Sequence, residues 1–150
     1  ARRRLGERGA LAPAVPVLAM AMLLLAGMII DGSRQLNARG EAVAFAEEAA
    51  RAGAQAVDLN EDNLVLDQPA AQSRVDTYCA TVLAQRQVES CQFMGILPVS
   101  ATDPRPLVVQ VRVTMRIKSS LLGIIGVTTL SASGEAKARP FEGVDAGDAG

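Results

Sequence analysis

ALAPAVPVLAMAMLLLAGMIIDGSRQLNARGEAVAFAEEAARAGAQAVD, residues 10–58, divides at Asp31 into two halves that share a helical pattern but differ in their surroundings. From Ala10 to Ile30 no residue is charged, and Arg8 and Asp31 bound the run. A stretch of that length can span a bilayer. If the helix begins near Pro13, where a missing amide donor costs least, the residues from there to Ile30 rise about 27 Å, close to the hydrocarbon thickness. Beyond Asp31 the helical pattern continues to about Asp58 without a proline, interrupted only by small residues such as Gly40 and Gly53.

Arg2, Arg3, Arg4 and Arg8 precede the apolar run, whereas Asp31, Arg34, Glu41, Glu47 and Glu48 follow it. By the positive-inside rule these arginines are topology determinants that place the N-terminus in the cytoplasm and everything after Asp31 outside it. A cleaved secretory signal is the alternative. Against it stand an apolar run longer than the usual signal core of about 7 to 15 residues and the lack of an A-x-A-like site at the boundary. The expected organisation is a basic cytoplasmic segment at 1–9, a transmembrane helix at 10–30, an extracytoplasmic extension of that helix at 31–58, a small α+β domain at 59–139 and a Gly- and Asp-rich disordered tail at 140–150.

The extension is built from very small side chains: between Arg34 and Val57 alanine alone supplies nine residues. Such a helix gains little from side-chain burial, so its value lies in close approach of other backbones. The candidate packing face is Gly27, Gly40, Val43, Ala46, Ala50, Gly53 and Val57. Glu47 and Arg51 are spaced for an i,i+4 pair on the polar sector. More than half the circumference is apolar or small, and two covers suit it: the chain's own domain, or a neighbouring subunit in an oligomer.

A second helix is signalled by Pro69 at a first-turn position, with Ala71, Val75, Tyr78, Cys79, Val82 and Leu83 on one face, and it is expected to pack on a sheet. Cys91–Val99 reads as a strand and 100–106 as a turn-rich loop. Leu107–Lys118 alternates cleanly, with Val109, Val111, Val113, Met115 and Ile117 facing one way and Gln110, Arg112, Thr114, Arg116 and Lys118 the other. SSLLGIIGV at 119–127 is an apolar turn or short helix, and Thr128–Arg139 returns as a second alternating strand. The fold class is therefore α+β, a long N-terminal helix packed with a second helix on a small antiparallel sheet.

Cys79 and Cys91 are the only cysteines, and both fall on the side assigned to an oxidising compartment, so a structural disulfide is expected. The absence of His removes Ser-His-Asp and Cys-His catalysis and His-ligated zinc. Asp58, Glu61, Asp62 and Asp67 do not match calcium-loop spacing, and no Gly-rich phosphate loop is present. The short terminal basic cluster, without interleaved aromatics, does not suit nucleic acid. No enzyme activity, cofactor, metal or small-molecule substrate is expected.

ERGA at 7–10, IIDGSRQLNARGEAVAFAEEAARAGAQAV at 29–57 and SSLLGIIGV at 119–127 together resemble the TadE/TadG-like proteins of tight-adherence (Tad, Flp-type) pilus assembly. The resemblance implies a bitopic protein with a pilin-like N-terminal helix, serving as a minor pseudopilin or envelope component of the pilus and secretion machinery, with other pilus-assembly proteins as partners. Prepilin-type processing would follow a Gly with Glu five residues on; after Gly9 the fifth residue is Ala14. The alternative function is a membrane-tethered binding module for a cell-wall or protein ligand, using Arg112, Arg116 and Lys118 as a basic stripe.

Overall fold

A computed structural model describes residues 13–58 and 65–140. Helix α1, Ala14–Ala54, is one uninterrupted rod of 41 residues, about 60 Å long. Pro13 takes the N-cap position and Pro16 lies in the first turn, where amides have no intrahelical partner to lose. The helix is long and apolar enough to cross a membrane. It is bare along its lower half, where Leu23 is 71% and Ile29 72% exposed, and clad along its upper half, where Ala42, Ala46, Ala49 and Ala50 are fully buried.

Helix α1 stops at Ala54, short of the expected Asp58. The Ala56 amide donates to Gly53 O and the Asp67 amide to Ala56 O. These bonds turn the chain into a minimal pair, β1 (Val57–Asp58) with β2 (Val65–Leu66), antiparallel with Val57 opposite Leu66. Tertiary pairing here outweighs the helical preference of the alanines. Asp67 then caps α2 (Gln68–Leu83), its side chain accepting from the Ala70 amide, with Pro69 in the first turn as its fixed φ favours. Ala71, Val75, Cys79 and Val82 are buried as the spacing predicts; Leu83, at the last turn, is exposed instead.

Strand β3 runs Val88–Pro98, β4 Pro106–Lys118 and β5 Thr129–Ala138, forming an antiparallel sheet in the order β3-β4-β5. β3 begins three residues before the expected Cys91, where Val88 pairs with Met115 across a register shift. Central β4 supplies the bulk of the core: Val109, Val111 and Val113 are fully buried and Met115 nearly so. Both helices cover this one face of the sheet, α1 over β4 and β5, α2 over β3. The α+β reading is therefore correct. The upper part of α1 shares its core with the sheet, since Ala42–Ala54 of α1 and the valines of β4 belong to one apolar cluster.

Cys79 of α2 and Cys91 of β3 form a disulfide with Cα atoms 5.5 Å apart and a sequence separation of 12. It ties the second helix to the sheet edge. Closing so short a loop is worth about 3 kcal/mol, a large share of a small domain's stability. Reduction of the bridge is expected to lower the unfolding free energy of the folded head by about 3 kcal/mol, read as a lower urea midpoint by circular dichroism with reductant than without at constant pH; an unchanged midpoint refutes it.

Candidate functional site at the helix–sheet seam

Small residues on α1 meet small residues on β5, and that match sets how closely helix and sheet approach. A Cβ at Gly134 of β5 would lie 2.3 Å from Val43 N and 2.6 Å from Ala42 C. At Gly53 a Cβ would stand 2.8 Å from a Val75 methyl and 3.0 Å from a Val109 methyl. At Gly27 the obstacle is Leu121, 2.8 Å away at its Cβ. Distances below about 3 Å leave no room for the extra carbon without displacement of backbone or core.

The expected packing face is therefore distributed. Gly27, Ala46, Ala50 and Gly53 are buried by the chain's own head, Val43 and Val57 are half-buried, and Gly40 is exposed with open space where its Cβ would be. Substituting leucine at Ala50 or Gly53 would strike the chain's own core before it reached any neighbour, so neither position isolates contacts to a partner. The surface left open on the upper half of α1 carries Leu36, Gly40, Ala44, Glu47, Glu48 and Arg51, with Arg51 and Glu47 3.7 Å apart as their spacing predicts.

Asp31 is the residue whose role its sequence position does not reveal. It stands where the apolar run ends, yet it is fully buried, the one charged side chain so placed among the described residues. Its Oδ1 accepts from the Ser120 amide at 2.8 Å, and its Oδ2 accepts from the Leu121 and Leu122 amides at 3.0 and 2.8 Å. Those amides open a 3-10 helix, Leu122–Ile125, in the β4–β5 connection, so a carboxylate on one helix caps a short helix some ninety residues away. The Leu122 amide contributes most to holding the Asp31 carboxyl below its usual value, followed by that of Ser120, against an opposing contribution from burial. Arg34, one turn above, donates to Ser120 Oγ and completes the latch.

The outer face of the sheet is polar and internally paired. Arg112 donates through Nε to Glu135 Oε1 at 2.6 Å, Gln110 donates to Glu135 Oε2 at 3.1 Å, and Arg116 pairs with Glu89. The Arg112 hydrogen bond is the main reason the Glu135 carboxyl sits below its usual range. The expected basic stripe of Arg112, Arg116 and Lys118 is thus a ladder of opposite charges across neighbouring strands at its first two positions, which removes much of its attraction for an acidic ligand. No group of His, Cys, Asp and Glu among the described residues is arranged to hold a metal. The topology arginines Arg2, Arg3, Arg4 and Arg8, the acidic pair Glu61 and Asp62, and the tail from 141 onward lie outside the described residues.

Residues 9–56 match a family model described as putative Flp pilus-assembly TadE/G-like. That match spans the apolar segment and the whole of α1, including Asp31. No curated protein and no solved structure matches the chain.

Proposed function

We propose, from the premise that residues 9–56 are TadE/G-like, that the chain is a non-enzymatic structural component of a Tad-type pilus assembly apparatus, of minor-pseudopilin type. The lower half of α1 anchors it as a single-pass protein in the cytoplasmic membrane, with the N-terminus inside and the disulfide-closed head outside. Its partners are other pilus-assembly or pilin-like proteins. The observation that carries this reading is one continuous helix, bare from Val15 to Ile30 except where Leu121 covers Gly27, and roofed by a sheet above. A soluble protein does not leave so many large apolar side chains in water, whereas lipid or neighbouring helices cover them at no cost.

Contacts to those partners fall on the parts of α1 that the head leaves open: the apolar lower half, and above it the outward surface around Leu36, Gly40 and Ala44. The Gly40 position admits close backbone approach because nothing of the chain itself stands there. Two measurements test the proposal. A C-terminal reporter active only outside the cytoplasm is expected to be active, and a Gly40→Cys variant is expected to crosslink to other pilus-assembly proteins in intact cells. A reporter active only in the cytosol overturns the topology; crosslinking confined to unrelated membrane proteins overturns the assembly role.

A further inference from the structure

The β4–β5 connection is apolar and stands open where nothing in the head needs it. Ile124 is 78% and Ile125 65% exposed, and Leu121 and Val127 beside them are also open. Its height along α1 is set by two contacts. Asp31 caps it, and Leu121 lies against Gly27, four residues lower, hence about 6 Å further down the helix. The tip is therefore level with the last turn of the apolar segment.

We propose that this tip is a second membrane contact, its Leu121, Ile124 and Ile125 side chains entering the acyl region of the leaflet from which α1 emerges. The inference rests on the membrane-anchor reading above and adds to it a fixed seat for the head.

Three features suit lipid as the occupant. The exposed side chains of the tip adjoin the bare apolar surface of α1, so the two make one continuous patch. Most amides of the tip have partners within the chain: Asp31 takes three, the Ile124 amide donates to Leu121 O, the Gly126 amide to Gly123 O, the Val127 amide to Leu122 O, and the Ser119 amide to Thr128 O. A backbone paired in this way stands at the membrane edge at little cost while only its side chains enter hydrocarbon. Gly126, at φ 94°, closes the 3-10 helix in the left-handed region and returns the chain toward β5. Finally, exposed Arg34 and Lys118 lie at the base of the tip, at the level where lipid phosphates meet the head, and suit an anionic surface.

Two attachments, one through α1 and one through the tip, restrict both the tilt of the head and its rotation about the rod. A rod alone leaves the head free to turn about the helix axis.

The chain contains no Trp, so single substitutions report position directly. The full chain carrying Ile124→Trp is reconstituted into phosphatidylcholine–phosphatidylglycerol vesicles with brominated acyl chains, with Leu23→Trp reporting the span and Ala101→Trp, in the loop at the far end of the sheet, reporting the head. Ile124 and Ala101 are exposed, so neither change disturbs the core. The expected result is blue-shifted emission from Ile124→Trp that is quenched by brominated lipid and spared by aqueous iodide, as for Leu23→Trp, with the reverse for Ala101→Trp. Iodide quenching of Ile124→Trp while Leu23→Trp stays lipid-quenched overturns the tip contact and leaves the anchor standing. Loss of lipid quenching at Leu23→Trp overturns the anchor and the inference together. Protection of Ile124→Trp from both quenchers means that a second copy covers the tip, and also overturns the inference.

Discussion

Replacing Gly134 by alanine is expected to destabilise the head by about 3 kcal/mol, and replacing it by leucine to prevent a stable fold. The reason is the identity of the obstacle. The added Cβ meets Val43 N at 2.3 Å, Ala42 C at 2.6 Å and Val43 Cα at 2.7 Å, all of them backbone atoms of a rigid helix. No rotamer change relieves the clash, so α1 and β5 must move apart. That movement opens the layer in which Ala42, Ala46 and Ala49 touch the sheet, and those methyls are too short to follow. Ser133→Ala, one residue earlier and facing outward, is the control and should leave stability unchanged. Urea unfolding of the detergent-solubilised chain, followed by circular dichroism, makes the measurement; equal midpoints for Gly134→Ala and Ser133→Ala would show that the seam is loosely packed.

Asp31→Leu is expected to release the β4–β5 tip while the sheet stays folded. Three amides lose a charged acceptor, and hydrogen bonds to charged groups are among the stronger ones, so hydrogen exchange across residues 119–127 should accelerate by roughly a thousandfold in detergent micelles. Asp31→Asn keeps one acceptor oxygen and should give an intermediate rate. Exchange in β4 should change little, because its bonds to β3 and β5 do not pass through Asp31.

The same latch has a definite pH response. Its carboxyl is held below the usual value in the folded chain, so the stabilisation it contributes is complete above the unfolded value near 3.8 and is lost as pH falls through the lower folded value. Exchange at 119–127, corrected for intrinsic rate, should therefore be flat from neutrality down to mild acid and rise only in strong acid. A rise already near pH 6 would contradict this geometry.

Much of the architecture was readable from local pattern. The uncharged run ahead of Asp31, the strict alternation from Leu107 to Lys118 and the first-turn Pro69 each report a local environment, and each element stands close to where that pattern places it. The end of α1 was not readable, because Gln55–Asp58 is as helix-tolerant as what precedes it and turns only because Val57 pairs with Leu66. The small-residue helix was legible as a close-approach surface but not as to what approaches it. Periodicity shows that one face is covered without naming the cover, and here the chain's own β5 takes much of it.

By itself, then, the sequence determined the rod, its apolar base, its alanine-rich upper part and the alternating strands, since each depends on residues within a few turns or a single strand. The tertiary structure decided which faces are spoken for: Gly134 beneath Val43, Leu121 against Gly27, and Asp31 beneath the amides of 120–122. These contacts join residues about ninety positions apart. No periodicity encodes such pairs, because a buried carboxylate and a charge at a membrane edge look alike until the chain brings its amide partners to them.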